Sequence, residues 1–158
     1  PDLRDAVLST SGGSGDKLFV SHLRSATIDV LDASTLALVK TVIPPGYTSV
    51  VADFQGQPQT FSPTVAWRMI RRPGGGVFVV HQHSKTSAVV VDPSKGGGYE
   101  AGDCSFGIVH TAVTALDAEG NILNTERGGS LSGLPVPTDI ALSSDQTRVA
   151  VIGAGASS

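Results

Sequence analysis

Cysteine is nearly missing from this sequence: Cys104 is the only one in 158 residues. A lone thiol forms no internal disulfide and no cysteine-pair zinc site, and no Cys-x-x-Cys-His run is present to attach a c-type haem. Charge is sparse too. Asp, Glu, Lys and Arg make up 16% of the chain and the formal net charge is −3, which is neither a basic footprint for nucleic acid nor an acidic tail. No apolar run approaches the roughly 20 residues a helix needs to span a bilayer. The opening Pro1-Asp2-Leu3-Arg4 has no basic-then-apolar leader pattern and no initiator Met, so the chain reads as cut from something longer.

What is present is punctuation. With 19 Gly and 9 Pro, turns are frequent and long helices are disfavoured. Between the turns lie short runs with period-2 alternation, the mark of half-buried strands. Ala6 to Ser9, Leu18 to His22, Ala26 to Leu31 and Leu36 to Ile43 read as one four-stranded meander, with Asp32-Ala33-Ser34-Thr35 as a polar turn and Pro44-Pro45-Gly46 as the stop. The pattern recurs. Val65 to Ile70 reads as a first strand, followed by the turn Pro73 to Gly76. Val77-Phe78-Val79-Val80-His81 then matches Leu18-Phe19-Val20-Ser21-His22 at a spacing of 59. Ala88 to Asp92 matches the strand ending at Asp32. Ile108 to Leu116 reads as the next strand, with Ile122-Leu123 continuing it past the turn Asp117 to Asn121. A third copy opens at Pro137-Thr138-Asp139-Ile140-Ala141-Leu142, and Val149 to Ile152 follows, Val149 lying 72 residues after Val77.

Repeats of one meander indicate a propeller or a related array. The expectation is an all-β chain of antiparallel four-stranded blades, a partial β-propeller of about two and a half blades. The first blade covers about 6–43, a linker 44–64, the second blade 65–123 and a half blade 137–158. A blade buries both faces only against neighbours, and the half blade would leave an unpaired edge. The expected partners are therefore another protein chain or the remaining blades, with no nucleic acid and no membrane span. Val20, Val79 and Val151 are expected at equivalent buried positions.

The run Pro137 to Val151 resembles the opening of bacterial YVTN-type propeller blades, and Lys17 to Ser21 with Ile28 to Asp32 is similar to their second and third strands. The YVTN tetrad itself is absent, and Gln146 stands where the turn usually has Gly. Val80-His81-Gln82-His83-Ser84, with Cys104 and Ile108-Val109-His110-Thr111, is similar to propellers that accompany di-haem, cytochrome-c-peroxidase-like domains. The resemblance implies an exported protein, periplasmic or extracellular, near c-type cytochromes. Any c-type haem would belong to a partner or to sequence outside this chain, which carries no cofactor site of its own.

Candidate sites are few. His81 and His83, at i and i+2 of a strand, project to one face and are the metal-site candidates, since two imidazoles there share an ion with bonds of about 2.0–2.1 Å. The plainer reading is two polar residues at the solvated end of a strand. His22 shares the repeat position of His81, but equivalent positions in adjacent blades diverge; His110, on another strand of the second blade, is expected out of reach. Arg68, Arg71 and Arg72 around Trp67 read as an exposed strand end beside a turn, in preference to an anion-contacting patch. Tyr47, Phe54 and Phe61 lie in the linker, a packed or partner-contacting loop. Glu100 and Asp103 disfavour a thiolate at Cys104. Val151 to Ser158 lacks the helix and acid of a dinucleotide site, and Gly96-Gly97-Gly98 lacks the Gly-Lys-Ser/Thr of a P-loop. No Gly-x-Ser-x-Gly occurs, and no catalytic residue is assigned.

Three functions stand at this point. The first is a non-catalytic scaffold or binding module that docks a partner or supports a redox domain. The second is a metal-dependent or redox enzyme whose site at His81 and His83 is completed from outside the chain. The third is a cell-envelope or adhesion repeat protein.

Overall fold

The computed structural model describes residues 2–10, 15–52, 56–87, 108–128, 131 and 133–154, with only the backbone of 51 and 52. The strands expected from alternation form. Among the described residues they are β1 (Leu3–Ser9), β2 (Lys17–His22), β3 (Ile28–Asp32), β4 (Leu38–Val42), β5 (Tyr47–Ala52), β6 (Pro58–Arg71), β7 (Val77–Lys85), β8 (Val109–Leu116), β9 (Ile122–Glu126), β10 (Val136–Leu142) and β11 (Val149–Ala154). They make three antiparallel sheets. The first has the order β1-β2-β3-β4, the second β5-β6-β7-β8-β9 and the third β10-β11. The second sheet is curled into a half-barrel.

Two boundaries differ from expectation. The 44–64 segment is not a loop: it holds β5 and the start of β6, so the second sheet has five strands. β8 is also the third strand of its meander and β9 a separate fourth, because β7 pairs directly with β8 from Val77↔Leu116 to Ser84↔Val109. The expected strand at Ala88 to Asp92 lies outside the described residues, as do Phe54, Gly96 to Gly98, Cys104 and the last four residues.

Turn chemistry sets the hairpins. Asp32 accepts hydrogen bonds from the amides of Ser34 and Thr35, both at 3.0 Å. Asp117 repeats the device between β8 and β9, accepting from the amides of Glu119 at 3.0 Å and Asn121 at 2.7 Å. A short carboxylate in reach of amides two to four residues on is what an Asx turn requires. Gln146, at the turn where the resembled family carries Gly, adopts the left-handed φ of 59°.

The sheets stack in sequence order. Pairing puts Phe19 and Val30 on one face of the first sheet, and these pack with Met69, Val77, Val79 and Leu116 of the second. The opposite face of the second sheet buries Val80, with Trp67, Ile70 and Phe78, against Ile140 and Val151 of the third. Positions spaced by 59 and 72 residues take matching places in this stack. Phe19 and its equivalent Phe78 both point toward the sheet that follows. Val79 and Val151 both point toward the sheet that precedes, and Val20 points to the outer side of the first sheet. Val79 is wholly buried, whereas Val20 and Val151 are half-buried. The expectation of three equally buried valines is thus corrected: the register is shared, but Val20 has no described sheet over it.

First strands meet where the sheets converge. Asp5 of β1 accepts the amide of Met69 at 2.8 Å, and Arg68 of β6 reaches Asp5 at 3.5 Å and Asp139 of β10 at 3.4 Å. Arg4 lies over the Trp67 ring at 5.6 Å and donates to the Trp67 carbonyl at 2.9 Å. Instead of lining a free strand end, Arg68 and Trp67 join neighbouring sheets. Arg68 is half exposed, so these ion pairs orient more than they stabilise.

Candidate functional site

Alternation along β7 sends His81 and His83 to the same face as Val77 and Val79, as expected. They are not at a solvated strand end. Both are 0% exposed, and His110 is 5% exposed. The curl of the second sheet accounts for this: β6 and β8 flank β7, and Pro45 with the rings of Tyr47 and Phe61 closes over its far end. His110 stands directly opposite His83 in the β7–β8 ladder, which corrects the expectation that it would be out of reach. The His81 and His83 rings meet edge to face at 4.9 Å. Phe61 of β6 meets His110 at 4.7 Å, and Tyr47 of β5 meets His83 at 5.3 Å, both edge to face. Tyr47 stacks on Phe61 at 4.9 Å and carries the Arg127 guanidinium 4.7 Å above its ring. The sequence pointed to the pair but missed Tyr47, Phe61 and Arg127 as its lining. The available signal was the β-prone run from Tyr47 to Val51 after Pro44-Pro45-Gly46.

Hydrogen bonds define the ring states. His83 Nε2 lies 2.9 Å from the Pro45 carbonyl. A carbonyl only accepts, so Nε2 carries the proton, and the neutral ring holds a bare lone pair at Nδ1. His81 Nε2 lies 2.8 Å from the Thr114 hydroxyl, itself 2.9 Å from that of Thr125. Nδ1 of both rings is buried and, among the described residues, has no hydrogen-bond partner. Burial pushes His81 down to about 3, helped by the neighbouring His83 and opposed by the Gln82 carbonyl. Burial lowers His83 too, against the Pro45 carbonyl, with Arg127 and His110 adding to the shift. Both rings are neutral near pH 7.

Neutral imidazoles with one nitrogen anchored are what a metal centre uses. However, among the described residues no three of His, Cys, Asp or Glu come together as metal ligands, and the charge that acts on His83 is the cation of Arg127. The neighbouring hydroxyl of Thr114 is engaged with His81 and Thr125. The arrangement is an apolar imidazole–aromatic cluster closed by strand β5.

His22, expected from the sequence to be equivalent to His81, lives in a different environment. Its Nδ1 lies 3.1 Å from Asp2 and its Nε2 2.9 Å from Asp29. Asp29, which also accepts from Thr41 at 2.6 Å, raises the His22 pKa most; burial opposes, and Asp2 adds to the rise. With both nitrogens held by carboxylates, His22 is a knot and not a base. Its folded pKa lies above the ordinary value of about 6.5. The stability it contributes is therefore full below that value and is lost as pH rises through the folded pKa. Asp29→Asn is expected to reduce this slope, leaving the part due to Asp2; an unchanged slope in urea melts between pH 6 and 8 would contradict the knot.

Compared with known proteins, the chain matches no family, no curated protein and no solved structure.

Proposed function

We propose that this chain is part of a β-propeller that acts as a non-catalytic scaffold or binding module in a larger exported protein or complex. The observation that carries the reading is the face polarity shared by the three sheets. Phe19 and Phe78 point to the following sheet, and Val79 and Val151 to the preceding one. Radially stacked blades need this repeated polarity. The sheet faces at the two ends of the stack, with Leu8 50% and Ile152 63% exposed, are the surfaces such a scaffold offers to further blades or to another chain. The resemblance around His81, His83 and His110 supports extending the proposal to a c-type cytochrome redox partner in the periplasm or outside the cell. The second reading, a redox or metal site completed from outside the chain, is favoured by the orphan Nδ1 atoms of His81 and His83.

Val20→Thr tests the scaffold. In the chain alone this half-buried position is expected to tolerate the change within about 0.5 kcal/mol. In the full-length protein with its partners, a covering sheet would bury the hydroxyl, at a cost of about 1–3 kcal/mol. Equal effects in both settings, measured by chemical denaturation, would refute a covered face.

A further inference from the structure

We infer that β5 is an acid-releasable strand, latched over the second sheet by the imidazole of His83. Among the described residues β5 is an edge strand that pairs only with β6, at Tyr47↔Phe61, Thr48↔Thr60 and Ala52↔Pro58, with a register break between Thr48 and Ala52. Edge strands with irregular ladders open before central ones. What fastens this one is side-chain chemistry: the Pro45 carbonyl on His83 Nε2 at 2.9 Å and the Tyr47 ring on His83 at 5.3 Å.

The latch depends on uncharged rings. An added proton must go to Nδ1, because Nε2 of His83 already donates to Pro45. In His83 that atom is buried and, among the described residues, has no hydrogen-bond partner. The charged and titratable groups around the pair are Tyr47 from β5, His110 from β8, Arg127 just after β9 and Lys85 two residues on from His83 along β7. None of them is an anion near neutral pH, and no carboxylate among the described residues perturbs either ring. Protonation thus places positive charge beside Arg127 with nothing to offset it. Lifting β5 lets water solvate the new N–H, so acid favours the open form and bares Phe61, His83 and His110.

The sign follows from linkage. A base whose folded pKa is depressed gives stability that is full above its unfolded value near 6.5 and is lost as pH falls toward the folded pKa. For a ring that stays neutral when closed and titrates normally when open, opening rises about 30-fold between pH 7.5 and pH 5. His22 titrates in the opposite sense and in the first sheet, so the readout must be local.

Hydrogen exchange of the amides in 46–52 and 59–62, corrected for intrinsic rate, supplies it. The wild-type chain is expected to lose about 30-fold protection there between pH 7.5 and 5, while β3 keeps its protection. His83→Gln, whose amide still donates to Pro45 but does not titrate, is expected to flatten the response. Should that variant fail to fold, the wild-type imidazole titration followed by NMR takes its place: its midpoint is expected to coincide with that of the exchange. Protection in β5 independent of pH, a full response in folded His83→Gln, or midpoints more than one pH unit apart would overturn the latch.

Discussion

Replacing Gly76 by Ala is expected to cost roughly 2–5 kcal/mol, a large part of the stability of a domain this size. Gly76 opens β7 at a φ of +84°, and a Cβ there would lie 2.0 Å from the Leu116 carbonyl oxygen and 2.5 Å from the Asp117 carbonyl carbon. Those atoms are backbone of the paired strand, so no side chain can swing aside. The left-handed conformation contributes about 1–2 kcal/mol of strain for a residue with a Cβ, and the overlap adds about 1–3 kcal/mol as β7 is pushed from β8. The Gly76 amide also donates to Ser9 Oγ of the first sheet at 2.6 Å, so the displacement loosens a second seam. Gly74 supplies the control. Its φ is +77°, yet a Cβ there meets nothing within 4 Å, and Gly74→Ala should cost only the strain. Urea melts of the two variants check this. Equal losses at the two positions would mean that the close approach of β7 to Leu116 is wrong.

Phe19→Ala is expected to cost about 3–5 kcal/mol, the range for emptying a buried aromatic site. The ring is 0% exposed and belongs to the cluster that joins Ile28, Val30 and Val42 of the first sheet to Met69, Val77, Val79 and Leu116 of the second. The cavity would therefore open between sheets and not within one. For a chain of this length the loss corresponds to a melting shift of roughly 10 °C. Leu38→Ala, on an edge strand at 59% exposure, should stay within about 0.5 kcal/mol. A Phe19 variant no less stable than the Leu38 variant would remove the main apolar bond between the first two sheets.

Much of this architecture was legible because strand alternation and turn chemistry act locally. Lys17 to His22, Val77 to His81 and Val149 to Ile152 announce themselves by period 2, and Asp32 and Asp117 by the turns they cap. The β5–β6 hairpin was hidden by its prolines. Pro58 and Pro63 weaken any strand assignment, since each lacks a ladder donor. The structure accommodates Pro63 at a register shift between Pro63 and Val65, where a pairing is already broken. The candidate site was half legible. Spacing places His81 and His83 on one face, but their burial depends on the curl that brings Tyr47 and Phe61 over them. The pairing of His83 with His110 joins residues far apart in sequence, and local pattern carries no information on such a contact. Val20 teaches a related lesson: alternation determines which way a side chain points, while burial depends on what lies beyond it.

The stacking of repeat sheets is tested most directly by nuclear Overhauser contacts in methyl-labelled protein. The Phe19 ring is expected to contact the methyls of Val77 and Val79, and the Phe78 ring those of Ile140 or Val151, with no contact between Phe78 and the first sheet. Contacts from Phe19 confined to its own sheet, or from Phe78 to Val30 or Val42, would contradict the shared face polarity on which the propeller reading rests.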